Sequence, residues 1–179
     1  STKKQTIKYT KRFKNSDLII FLPSSNKDEI KYLLKLIFKF HDRFPYYNYI
    51  WRGHPFDNNN LKNLFKDYPK IELSSNDLDY DLRRSKLAFY TISSSIINAV
   101  CCGVRPIYVE NKSFDTDPLE ELSNPWKCKV KNFPNLNNFF KFDNNLKLKS
   151  FMETSSSYYR NYFEEFKINK IYKLLYEKI

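Results

Sequence analysis

Three short polar segments of this 179-residue chain carry the residue types that hold phosphate: Pro23-Ser24-Ser25-Asn26, Arg52-Gly53-His54-Pro55 and Ser93-Ser94-Ser95. Hydroxyls and unpaired backbone amides donate to phosphate oxygens, most effectively where they open a helix. An arginine adds a charge-assisted bond. A histidine donates in either protonation state, and an adjacent phosphate favours the charged one. Taken singly, each segment has a plainer use: serines and asparagines cap helices, and a histidine before proline makes a turn. A shared chemistry requires that the fold bring the three together.

The flanking sequence says how it would do so. Each segment follows a stretch that reads as a buried strand: the apolar run Leu-Ile-Ile-Phe-Leu after Asp17, Tyr-Ile-Trp after Asn48, and residues 87–91. Further strands are expected at 70–73, 105–110 and 127–130. A continuous apolar run ended by proline suits a central parallel strand. Between them, helical spacing of Ile30, Leu33, Leu34, Ile37, Phe38 and Phe40 predicts a helix over 27–43, with Ser24, Ser25 and Asn26 as cap candidates and Asp28 and Glu29 in its first turn. His41 then falls at the helix C-terminus, where an imidazolium suits the dipole. Shorter helices are expected at 61–68, 77–85 and 136–142, and one after the serines, closed by Gly103. A last helix is expected from about Ser156, with Tyr159, Tyr162, Phe163, Phe166, Ile171, Leu174 and Leu175 as its apolar side.

Strands alternating with helices imply right-handed βαβ units. The expected fold is α/β: a single Rossmann-like domain with a parallel sheet of about six strands and helices on both faces. Its organisation is a basic arm over 1–16, the domain proper over 17–155 and a C-terminal helix over 156–179. In such a sheet the three polar loops all follow strand carboxyl ends, which is where open α/β sheets bind ligands.

Thirty-one Lys and Arg against twenty Asp and Glu leave a net charge of +11, which calls for an anionic partner. A phosphorylated substrate, nucleic acid and an anionic membrane surface all answer that description. Six basic residues (Lys3, Lys4, Lys8, Lys11, Arg12, Lys14) crowd the first fourteen. They form either a solvated linker arm or a membrane-surface or partner contact, and near an anionic bilayer each is worth about 1 kcal/mol. The chain shows neither an RNA-recognition strand motif nor a helix-turn-helix, and its aromatics fall mostly on apolar faces, which weighs against a nucleic-acid module. No apolar run approaches the ~20 residues of a membrane span, and residues 1–16 lack a secretory core, so a soluble, cytoplasmic protein is expected. Cys101, Cys102 and Cys128 are odd in number and lack metal-ligand spacing. They read as small thiols in a reducing compartment, and no metal or cofactor is expected.

These residues also resemble a known pattern, the C-terminal, donor-binding half of GT-B glycosyltransferases, especially bacterial capsule and lipopolysaccharide enzymes. Phe21-Leu-Pro-Ser-Ser-Asn-Lys-Asp-Glu-Ile is similar to that half-enzyme's first strand, turn and helix. Arg52-Gly53-His54-Pro55 is similar to the HP motif of sialyl-, polysialyl- and Kdo-transferases, which contacts the CMP part of the donor. The run from Leu82 through Ser93-Ser94-Ser95 to Gly103-Val-Arg-Pro-Ile looks like their serine motif, which binds donor phosphate. Asn98-Ala99 stands where that family commonly has Glu-Ala, an amide in place of a ribose-binding carboxylate.

The resemblance implies a nucleotide-sugar-binding domain, CMP-sugar type favoured, of a metal-independent glycosyltransferase that makes surface polysaccharide or glycolipid. It implies donor contacts at Ser24, Ser25, Asn26, Arg52, His54, Pro55, Ser93, Ser94, Ser95 and Asn98, with His54 stabilising charge on the leaving phosphate. Its partners would be the nucleotide sugar, a saccharide or lipid-linked acceptor and an N-terminal GT-B half, since such enzymes close two Rossmann-like domains over the substrate. Two other readings stay open: a CDP-polyol phosphotransferase-like domain, and a basic nucleic-acid-binding module.

Overall fold

In the computed structural model the apolar run Leu18–Leu22 forms β1, an inner strand of a six-stranded sheet. The structure describes residues 17–54, 61–114, 116–131, 134, 137–140 and 145–162. From β1 the chain enters α1 (Lys27–Arg43), β2 (Asn48–Trp51), β3 (Ile71–Leu73), α2 (Leu78–Arg84) and β4 (Ser85–Tyr90). It continues through α3 (Ser95–Cys101), β5 (Arg105–Val109), β6 (Cys128–Val130), α4 (Asn137–Phe140) and α5 (Leu146–Tyr162). The strand order is β3-β2-β1-β4-β5-β6, and every pairing is parallel. The architecture is the Rossmann-like α/β sheet expected from the sequence.

The order has a functional consequence. The chain winds outward from β1 to β3, returns to place β4 on the other side of β1, and winds outward again to β6. Right-handed crossovers therefore put α1 and α3 on opposite faces, and the strand order reverses between β1 and β4. Both strands are covered on both faces: Ile19, Ile20, Phe21, Leu87, Ala88 and Phe89 are fully buried. That is why they read as unbroken apolar runs rather than as alternation.

Aromatic packing fixes α1 against this centre. Phe21 stacks on Phe89 at 5.1 Å and lies 6.4 Å from Trp51, while Phe40 of α1 reaches Phe21 and Phe89 at 6.0 and 5.0 Å. Such ring pairs add about 0.5–1.5 kcal/mol each beyond area burial. The buried Tyr49 of β2 donates its hydroxyl to the carbonyls of Phe40 and Phe44 at the α1 C-terminus, each of which also accepts a backbone amide. On the other face α5 packs on α3, and the buried Ser156 hydroxyl donates to the Val100 carbonyl at 2.6 Å. Gly103, at φ +74°, closes α3 as its sequence position suggested.

Three elements differ from expectation. Residues 61–68 form turns rather than a helix, with bonds from Leu64 N to Leu61 O and from Tyr68 N to Phe65 O, each 3.0 Å. Pro69 halts any continuation, and the apolar spacing that suggested a helix instead seats Phe65 and Tyr68 on Phe38 at 5.7 and 4.3 Å. Strand β4 begins at Ser85, where a helix was expected to end, because the Ser85 hydroxyl turns back to the Asp81 carbonyl and stops α2 one residue sooner. The last helix begins at Leu146, ten residues ahead of its expected start. The expected apolar positions Phe163, Phe166, Ile171, Leu174 and Leu175 lie outside the described residues, as does the basic arm. No helix among the described residues is long and apolar enough to cross a membrane.

Candidate functional site

The three polar loops follow β1, β2 and β4, which are neighbours in the order β2-β1-β4. They therefore emerge side by side at one edge of the sheet, on the two flanks of the strand-order reversal. The ladder itself carries the second loop onward, since Arg52 N donates to Phe21 O at 3.1 Å.

In the first loop Asn26 is the α1 cap: its Oδ1 accepts from Asp28 N at 2.9 Å and Glu29 N at 3.1 Å. Ser24 Oγ accepts from Asn26 N at 3.1 Å, and Ser25 is exposed. The pattern Asn26-x-x-Glu29 suggests a capping box, in which the carboxylate would reach back to the cap amide. Glu29 does something else. Fully buried, it accepts the amide of Ser24 at 2.7 Å, the hydroxyls of Ser24 and Thr91, and the amide of Ile92 at 3.3 Å. One carboxylate thus ties the loop after β1 to the loop after β4, across the reversal point.

A second buried carboxylate governs the loop after β2. Arg52 Nη1 donates to Asp81 Oδ2 at 2.7 Å and to the Asn76 carbonyl at 2.5 Å. Asp81, with no exposed surface, also accepts from Arg84 at 3.0 Å, from Asn76 Nδ2 at 3.3 Å and from the Ser74 hydroxyl. Arg84 in turn pairs with Glu72 at 2.7 Å. Burial alone would push the Asp81 carboxyl up, but hydrogen bonds from Ser74, Arg52, Arg84 and Asn76 outweigh it and hold the group below the usual carboxylate range. Arg52 is thereby bonded toward the loop that follows β3, whereas the sequence expectation placed it on phosphate. His54, two residues on, is half-buried, and Pro55 lies outside the described residues.

The third loop opens α3. Ser93 is buried and its carbonyl accepts from Ile96 N at 3.3 Å, which starts the helix. Ser94 is the N-cap residue, yet its exposed side chain makes no capping bond, because its backbone is already helical at φ −65°, ψ −18°. Ser95 and Asn98 are half-buried. Helical spacing sets Ser94, Ser95 and Asn98 on one face. Ser94, Ser95 and Asn98 are thus grouped, Ser24 is drawn toward the same loop through Glu29, and Arg52 is held by a different cluster.

Sequence reasoning missed Glu29, Asp81 and Thr91 as parts of this edge. A carboxylate one turn into a helix at the edge of an apolar stripe was the available signal for both acids, but each bonds a residue far away in sequence. The thiols lie elsewhere. Cys101 and Cys102 are buried and Cys128 half-buried, all three free, and burial raises each of them, Cys102 to about 12.

No protein-family model matches the sequence, and no curated protein matches it either. The fold does have solved counterparts. The GtfA/B complex superposes with a TM-score of 0.57 at 12% identity, covering 84% of this chain and 35% of that one. The wall teichoic acid polymerase TagF gives 0.54 at 14% identity, over 92% of this chain and 42% of its own. A putative UDP-N-acetylglucosamine 2-epimerase from Listeria monocytogenes gives 0.52 at 14%, over 92% and 46%. The chain therefore spans less than half the length of each of these structures. At such identities the likeness is one of fold.

Proposed function

We propose that this chain is the nucleotide-sugar-binding half of a GT-B glycosyltransferase, of CMP-sugar type. The observation that carries the reading is the convergence of three polar loops on adjacent parallel strands where strand order reverses. One of them presents a serine that the helix does not use as a cap. Open α/β sheets hold their ligands at such a point.

In this reading the amides at the start of α3 and the hydroxyls of Ser94 and Ser95 receive the donor phosphate. Asn98, on the same face, bonds hydroxyls of the ribose through either end of its amide. His54 donates to the leaving phosphate as its charge grows, and only interactions that strengthen in the transition state raise the rate. The general base belongs to an N-terminal half that supplies the acceptor site, and the acceptor is a saccharide or lipid-linked chain of a surface polymer. Of the fold neighbours, one is named for wall teichoic acid polymerisation and one as a putative UDP-N-acetylglucosamine 2-epimerase, which supports a sugar-related ligand in general terms. The basic arm suits a cytoplasmic enzyme working at an anionic membrane surface.

Calorimetric titration of the chain with CMP, CDP, UDP and GDP at moderate salt tests this. Selective CMP binding supports the CMP-sugar reading. Preference for CDP transfers the site to a polyol-phosphate donor, and failure to bind any of the four overturns the nucleotide reading.

A further inference from the structure

We propose that Asp81 is a positioning residue: by gripping Arg52 it holds the 52–54 loop, and with it His54, at the carboxyl edge of the sheet. This rests on the reading of that edge as a donor site, and it changes the part Arg52 plays there. Arg52 acts through the loop rather than on the ligand.

The geometry points this way for three reasons. First, the Arg52 guanidinium is engaged twice through one nitrogen, by the Asp81 carboxylate at 2.7 Å and the Asn76 carbonyl at 2.5 Å. Both acceptors belong to the stretch between β3 and the middle of α2, so the guanidinium is committed to that stretch. Second, the charges there are closed among themselves. Asp81 meets Arg52 and Arg84, Arg84 meets Glu72, and the four side chains sum to zero. An arginine so paired draws an approaching phosphate little, since the fields of opposed charges cancel at distances beyond their own spacing. Third, the carboxylate is wholly buried and takes bonds from four side chains, two of them from the loop after β3. A buried acid with that many donors has one orientation available to it, and so has the arginine it holds.

Between Arg52 and His54 stands only Gly53. A loop this short couples the placement of the arginine to that of the histidine, so a change in the grip on the first should be felt at the second. Precise placement matters because a hydrogen bond to a developing charge weakens steeply with misalignment.

The chain contains two histidines, so their imidazole proton resonances are separable and His41, in α1, is an internal reference. The experiment records both resonances at one fixed pH in wild type, Asp81→Asn and Arg84→Lys. Loss of the carboxylate charge should shift and broaden the His54 line while His41 stays in place. Arg84→Lys touches the same acid from a helix that does not lead to His54, and it should leave both lines where they were. A His54 resonance unmoved in folded Asp81→Asn overturns the proposal, and so does one that moves equally in Arg84→Lys. Should Asp81→Asn fail to fold, Arg52→Lys decides: an ammonium keeps the charge but not the planar reach to both acceptors, and an unchanged His54 line in that variant again overturns the proposal. Nucleotide titration of the same samples separates the two readings. A moved His54 line without nucleotide binding keeps the clamp and removes the donor site. Where nucleotide does bind, Asp81→Asn should lower its affinity about tenfold.

Discussion

Glu29 and Thr91 stand 62 positions apart in the chain, and the carboxylate of the first accepts the hydroxyl of the second across the seam between β1 and β4. The same carboxylate takes the amides of Ser24 and Ile92. Replacing it with alanine strands these donors in a buried setting. Glu29→Ala should lower the free energy of unfolding by about 3 kcal/mol, and Glu29→Gln, which keeps one acceptor oxygen, by about half as much. Urea denaturation measures both. A loss below about 1 kcal/mol for the alanine variant would show that the tie contributes little.

His54, Ser94 and Ser95 bear on binding rather than folding, because none of the three is buried in the core. His54→Ala should weaken nucleotide binding about tenfold, and Ser94→Ala combined with Ser95→Ala by a similar factor, with the thermal midpoint unchanged. Unaltered affinity in the histidine variant removes His54 from the site, and in the serine variant leaves those hydroxyls as solvent-facing side chains.

Acid should act on this protein partly through Asp81. Its carboxyl is held below 3.8 in the folded chain and returns to that value on unfolding. Below about pH 4 the unfolded state therefore binds more protons, and stability falls as pH drops toward the folded value. Above that range the contribution is fully present. Urea midpoints measured between pH 6 and pH 3 should fall more steeply for wild type than for Asp81→Asn, and parallel curves would remove Asp81 from the acid response.

Gly103 is set in the left-handed region, and a Cβ there would stand 3.3 Å from Met152 Sδ of α5. The conformation alone costs an ordinary residue about 1–2 kcal/mol, while the thioether can yield to the contact. Gly103→Ala should be destabilised by that amount and Gly103→Asn by less. Equal stability of wild type and the alanine variant would contradict the assigned backbone geometry.

Much of this fold was legible because its central strands are buried on both faces. Leu18–Leu22, and β5 apart from its opening Arg105, contain almost nothing that could face water, so their composition alone announces them. The start of α5 was not legible. Its opening, Leu146-Lys-Leu-Lys-Ser, alternates apolar and charged residues as a strand does, and a Thr-Ser-Ser-Ser run follows. The structure spends that run on contact: Ser155 bonds back to Phe151 O within the helix, and Ser156 crosses to Val100 O. The loops of the site were legible as loops, since their Ser, Asn, Gly and Pro content has few other uses. The acids that tie them were not, because Glu29 and Asp81 look locally like ordinary first-turn helix residues. Their partners lie 62 and 29 residues away, and single-sequence periodicity has no access to such pairings.

The burial of the cysteines has a practical side. With Cys102 raised to about 12, on the order of one thiol in 10⁵ is ionised there near pH 7, and Cys101 and Cys128 are raised as well. Thiolate is the form that reacts with maleimides and disulfide reagents. The native chain should thus stay silent to brief labelling until it is denatured. A single cysteine introduced at the exposed Lys27, where α1 opens beside the first loop, would then take a fluorophore selectively and report nucleotide arrival in a wild-type thiol background.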